Sequence, residues 1–95
     1  MIKIHEHEAG GQLILEVEGR LAGAFVPALE DCWRKARERQ PQPDIAIDLR
    51  NVTCVDRAGR CLLQLLQSNG VPFLRAGLAI QDILEQLKEK SECNG

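Results

Sequence analysis

The sequence predicts an α/β fold: an open mixed β-sheet of about four strands, begun by an N-terminal hairpin and accompanied by three α-helices. Three observations carry that reading. The opening residues alternate apolar and polar on both sides of an Ala9-Gly10-Gly11 turn. Beyond them, strand-like and helix-like stretches alternate, which calls for parallel central strands and right-handed crossovers. At 95 residues with 44% hydrophobic content, the chain is long enough for one domain to close a core without staples, and too short for a second. The core should span about residues 2–90, with residues 91–95 as a flexible tail.

The elements follow in order. Ile2 to His7 alternates, the glycine pair turns the chain, and Gln12 to Glu18 alternates again with Leu13, Leu15 and Val17 on one face. After Gly19-Arg20-Leu21-Ala22-Gly23, residues from about 25 to 39 place Phe25, Leu29, Cys32, Trp33 and Ala36 on one helical stripe, with Glu30, Arg34, Lys35 and Glu38 facing away. Pro41 and Pro43 end this helix. Asp44-Ile-Ala-Ile-Asp-Leu is a nearly continuous apolar run, suited to a central strand covered on both faces. A helix after Asp56 sets Ala58, Leu62, Leu65 and Leu66 toward the core, widened by Cys61 and Leu63. Its narrow polar face carries Arg57, Arg60, Gln64 and Gln67, and it ends near Ser68-Asn69-Gly70. Val71-Pro-Phe-Leu-Arg reads as a last strand, at an edge because of its proline. The final helix runs from Ala79 to about Lys90 and buries Ala79, Ile80, Ile83, Leu84 and Leu87.

Composition narrows the function. The net charge is −2, and no Lys/Arg stripe is interleaved with aromatics, so the footprint of a nucleic-acid binder is missing. No apolar run approaches the ~20 residues that span a bilayer, and the N-terminus lacks a signal-like apolar region. A cytoplasmic protein without membrane insertion is expected. The four cysteines, Cys32, Cys54, Cys61 and Cys93, form no C-x-x-C pair, and three fall within apolar patterns, which suggests reduced, buried thiols.

The stretch richest in chemistry is Val52 to Leu66, where a strand pattern runs through Asp56 into an apolar helix. Asp56 has the side chain an N-cap prefers, able to accept from free N–H groups of the first turn. Gly59 leaves that turn bare, so another backbone, an anion or a partner side chain can approach it. Taken alone, the two residues describe a cap and a tight junction. Their place at the carboxyl end of a strand, where α/β sheets gather their sites, adds a second meaning. Arg57 and Arg60 sharpen it, because a cation in a first helical turn opposes the macrodipole by roughly 0.3–1 kcal/mol. Either Asp56 offsets part of that cost or a carboxylate on a binding partner does. The second case makes Asp56, Arg57, Ala58, Gly59 and Arg60, with Gln64 on the same polar face, a protein-recognition patch. Trp33, near the edge of its stripe, reads as core, with a partner contact as the alternative.

This order of elements, with Gly19-Arg20-Leu21 after the second strand, Asp48-Leu49 ending the third and Val55-Asp56-x-x-Gly59 before the second helix, resembles the STAS domain over nearly the whole chain. That family contains anti-sigma-factor antagonists, the cytoplasmic tails of sulfate transporters and the small MlaB-type subunit of a lipid-transporting ABC system. In antagonists of the switch type the signature resembles D-S-S-G, and a kinase partner phosphorylates the second serine. Here those positions are Arg57 and Ala58, so the acceptor role does not carry over. MlaB-type members look like V-D-T-A-G, which Val55-Asp56-Arg57-Ala58-Gly59 matches except at Arg57. Ala22 also stands where the family commonly has an Asp after G-x-L. The resemblance implies a non-catalytic regulatory interaction module whose partner is an anti-sigma factor or kinase-type regulator. The alternative is an accessory subunit on the ATPase of an ABC system. Any phosphorylation would fall elsewhere, Thr53 being the candidate.

Enzymatic readings fare less well. Asp56-x-x-Gly59 occurs in GTPases, but no G-x-x-x-x-G-K-[ST] loop exists to cradle a triphosphate. His5 and His7 share one strand face without a third ligand for zinc, and a solvated face with Glu6 opposite is the simpler reading. No G-x-S-x-G is present, and Ser68 and Ser91 read as helix-end residues. Cys54 and Cys61 as a redox pair conflict with apolar surroundings that blunt thiol reactivity. No enzyme activity, cofactor or metal is expected.

Overall fold

The structure, a computed structural model, describes residues 2–89. Lys90, Ser91, Cys93 and the expected tail lie outside them. Strands β1 (Ile2–Ala9) and β2 (Gln12–Leu21) form an antiparallel hairpin with Ala9 opposite Gln12. Gly10 and Gly11 make the two-residue turn at φ of +59° and +79°, consecutive left-handed positions that match the twist of a hairpin and cost glycine little. Helix α1 (Phe25–Arg37) leads to β3 (Asp44–Val55), helix α2 (Arg57–Ser68) to β4 (Phe73–Leu74), and helix α3 (Leu78–Glu89) follows. The sheet order is β1-β2-β3-β4, with β2, β3 and β4 mutually parallel. This is the mixed α/β sheet with three helices that the alternation of patterns predicts. Among the described residues, no helix is long and apolar enough to cross a membrane.

Each parallel strand is added on the same side of the last. Right-handed crossovers in one direction lay their helices on one face, so α1 and α2 roof the same side of the sheet. Leu29 and Trp33 of α1, Leu62, Leu63 and Leu66 of α2, and Ile80, Leu84 and Leu87 of α3 form one core cluster with Leu15, Val17, Ile47 and Leu49. Those strand residues lie on one side of the pleat. The expectation of a β3 buried on both faces holds for its apolar run, since Ala46, Ile47, Asp48 and Leu49 are all buried. Ala46 and Asp48 lie on the face opposite the core cluster, beside Ile14 and Glu16 of β2, and are buried there. His5 and His7 lie exposed on that same face, where His7 contacts Glu16, while Glu6 on the helix side accepts from Arg39 at 2.7 Å.

β3 also runs further than its apolar pattern, continuing past Leu49 to Val55. The polar pair Arg50-Asn51 conceals the continuation. Asp48 accepts from the Arg50 N–H at 2.9 Å, and the pairing with β2 shifts register between Glu16 and Glu18 and again between Gly19 and Arg20. The extra residue of each shift lies on β3, Thr53 in the second, where Gly19 of β2 stands opposite at φ +109°.

The helical stripes are rotated from the expected ones. In α1 the buried residues are Val26, Leu29, Trp33 and Ala36, with Phe25 39% exposed and Cys32 half-buried. In α2 they are Gly59, Leu62, Leu63 and Leu66, an i, i+3, i+4, i+7 stripe, and Ala58 is exposed. In α3, Ile80, Leu84 and Leu87 are buried, Ile83 is half-buried and Ala79 faces out. Trp33 is 3% exposed, with the Arg37 guanidinium 4.7 Å from its ring centroid, and so belongs to the core.

The cysteines depart from the expectation of reduced, buried thiols. Cys32 and Cys54 are free and half-buried, but Cys61 is disulfide-bonded. Cys61 lies on the flank of α2 rather than in its buried stripe, where it is open to pairing, and spacing alone does not reveal connectivity. A Cys54–Cys61 pair is excluded. Burial, then the carboxylates of Glu6 and Asp31, push the Cys32 thiol pKa up, which keeps it protonated.

Candidate functional site

The junction between β3 and α2 is built from residues far apart in sequence. Asp56 is the N-cap of α2, and both its carboxylate oxygens are engaged. Oδ1 accepts from the Gly59 N–H at 2.8 Å and Oδ2 from the Gly23 N–H at 2.9 Å. These two donors, Gly59 first, hold the Asp56 carboxyl below the usual carboxylate range. The Asp56 N–H in turn donates to the Leu21 carbonyl at 3.3 Å. One aspartate thus ties the end of β2, the loop after it and the first turn of α2 together.

Gly59 completes the latch. A Cβ at this position would stand 2.3 Å from the Leu21 carbonyl oxygen and 2.9 Å from Val55 Cγ1. Space, not backbone conformation, demands the glycine. Of the three visitors that a bare first turn admits, the one present is the chain's own backbone at Leu21. Two motifs of the sequence therefore serve one joint: Leu21 of Gly19-Arg20-Leu21 supplies the carbonyl beneath Gly59, and Asp56 fastens the end of β2 to the first turn of α2.

The remaining candidates divide. Arg57 and Ala58 are exposed, between the two latch residues. Arg60 does not project into solvent as the helical pattern implied. It is half-buried, and its Nη2 donates to Gln86 Oε1 at 2.6 Å in the last turn of α3. The carbonyl end of α3 is electronegative, so this contact offsets the penalty that Arg60 incurs at the amino end of α2. Gln64 is half-buried, and its main-chain carbonyl accepts from Ser68 Oγ. Thr53 is exposed on β3 and donates to the Gly19 carbonyl at 3.2 Å.

Val55, Asp56, Arg57 and Arg60 line an open cleft of about 480 Å³. It holds one carboxylate, already occupied by backbone donors, and two guanidiniums. Such a set can receive an acidic group or surface but offers no nucleophile. Among the described residues, no three His, Cys, Asp or Glu side chains gather as a metal-ligand group. Sequence reasoning missed Leu21, Gly23 and Gln86. Leu21, quoted only as part of Gly19-Arg20-Leu21, ends β2 and Gly23 lies in the loop after it, with no local sign of a tie to Asp56, and nothing in an exposed amide on α3 announces an arginine contact. No family model matches this chain, and no curated protein matches it.

Proposed function

We propose that this domain is a non-catalytic regulatory protein–protein interaction module of STAS type, similar to anti-sigma-factor antagonists but without the phosphorylatable serine. It meets its partner with the turn at residues 56–60. The observation that carries this reading is the division of labour within the turn: Asp56 and Gly59 are consumed in holding α2 to β2, while Arg57 and Ala58 between them stay exposed on a fixed base. A guanidinium at the positive end of a helix favours an acidic group on a docking surface, and small Ala58 lets that surface come close.

An anti-sigma factor or kinase-type regulator is the leading partner. The ATPase of a lipid-transporting ABC system is the alternative, favoured by the likeness of Val55-Asp56-Arg57-Ala58-Gly59 to the MlaB form. Nucleic acid, cofactor and membrane insertion have no part in the proposal. A cytoplasmic location requires the Cys61 disulfide to be open in the cell, since the thiol pool there keeps such pairs reduced, and alkylation of freshly lysed cells reads this directly.

The decisive experiment combines affinity capture from the native lysate, with the captured protein identified by mass spectrometry, and thermal melts of two variants. Arg57→Glu and Ala58→Glu place carboxylates in the first turn of α2, where they favour the helix by a few tenths of a kcal/mol. Both should melt no lower than wild type. Both should weaken capture of the identified partner by roughly 2–5 kcal/mol, through like-charge contact and, at position 58, bulk. Undiminished capture by both variants would move the recognition surface elsewhere.

A further inference from the structure

We propose that the outer edge of β4, with the groove beside it, docks a second copy of this chain, pairing β4 antiparallel to β4 across a two-fold axis at Phe73. The pairing of β4 with β3 fixes which groups are used. The Pro72 carbonyl accepts from the Ile47 N–H at 3.0 Å, and Ile47 and Asp48 stand in register with Phe73 and Leu74. Backbone groups alternate sides along a strand, so the N–H and C=O of Phe73 both point away from β3, to the outer edge. One residue presenting both groups outward is what a hydrogen-bonded antiparallel pair needs. Phe73 opposite Phe73 exchanges two bonds.

The neighbouring residues limit the pairing to that register. Pro72 has no N–H, and Arg75, at φ +54°, turns the chain out of the strand. An edge this short cannot template a long ladder, and a two-fold contact through one residue closes as a dimer instead of propagating. The opposite edge of the sheet is guarded, since β1 carries Lys3, Glu6 and Glu8 along its length.

Side chains beside β4 suit a copy of the same surface. A groove of about 900 Å³ runs between Phe73 and α3, and its walls set Arg75 and Lys88 against Asp82 and Glu85. Balanced charge within one patch is self-complementary under two-fold symmetry, where the patch meets itself. At its rim stands Leu78, 86% exposed and, among the described residues, far the more open of the two exposed large hydrophobic side chains. In the dimer, Leu78 of each copy enters the other's groove. This docking surface goes beyond the recognition turn and does not depend on it.

Sedimentation equilibrium of the full 95-residue chain tests the proposal, together with hydrogen exchange at the Phe73 amide. A reversible dimer of twice 10.6 kDa is expected, with Phe73 exchange slowing as concentration rises. Leu78→Glu should raise the dissociation constant roughly ten- to hundredfold, by removing one apolar anchor, while its dilute thermal melt stays that of wild type. A chain that stays monomeric into the millimolar range overturns the proposal. So does a dimer whose Phe73 amide exchanges at the dilute rate, or whose affinity Leu78→Glu leaves unchanged.

Discussion

Asp56 and Gly59 serve the same joint by different physics, and their variants should fail differently. Gly59→Ala introduces a Cβ into space held by the Leu21 carbonyl, which has no rotamer to yield. Alanine gains about 1 kcal/mol over glycine in a helix interior. Overpacking costs about 1–3 kcal/mol, and contact with backbone puts this site at the upper end, so urea unfolding should show a net loss of stability. A variant as stable as wild type would show that the junction is looser than its distances. Asp56→Asn keeps one acceptor for Gly59 but turns an amide donor toward the Gly23 N–H. Its effect should depend on pH with a defined sign. The folded-state pKa of Asp56 is lowered, so the carboxylate's contribution is present above the unfolded value of about 4 and is lost as pH falls through the folded one. Melting temperatures of wild type and Asp56→Asn should differ most near neutrality and converge below about pH 4. A gap that persists into stronger acid would mean that shape, not charge, secures the cap. The cap itself was legible because it acts within three residues. Its second bond, to Gly23, spans 33 positions and left no local trace.

Among the elements, α2 shows how far periodicity can be read. Both readings of the helix are apolar stripes, and they differ by a rotation. The sequence favours Ala58, Leu62, Leu65 and Leu66 because Gly59 contributes no hydrophobic side chain to any pattern. The structure buries Gly59, Leu62, Leu63 and Leu66, because the glycine is where the helix touches β2 most closely. Leu63 is fully buried and Leu65 only partly. Leu63→Ala should cost about 2–5 kcal/mol, and Leu65→Ala clearly less, in matched denaturant titrations. Equal losses would return the helix to the stripe its sequence suggests. β3 reads in sequence as two strand-like stretches, Asp44 to Leu49 and the one from Val52 that runs into Asp56, because Arg50-Asn51 breaks the alternation, and a bulge that absorbs such a pair depends on the partner strand. The identity, order and number of the elements were plain. Their ends and rotations answer to contacts that a single strand or helix does not contain.

At the scale of the whole molecule, sequential strand order makes the domain unequal along its chain. β2 and β3 are central and share an extended parallel ladder, whereas β4 meets β3 at only two registered pairs, Ile47 with Phe73 and Asp48 with Leu74. The unit formed by β4 and α3 is held by that short ladder, by Ile80, Leu84 and Leu87 in the core, and by the Arg60–Gln86 hydrogen bond. Segments with few buried contacts open at lower free energy than the rest of the fold. Native-state hydrogen exchange on dilute protein should therefore find the α3 amides opening before those of β2 and β3. Arg60→Ala should enlarge that difference, because it removes a tie between α2 and α3 while leaving the Asp56 latch in place. The change would appear in α3 peptides and not in those covering residues 12–21. If β2 and α3 exchange with one common opening energy, and Arg60→Ala shifts them together, the domain opens as a single unit, and Arg60 stabilises the whole of it instead of fastening its last helix.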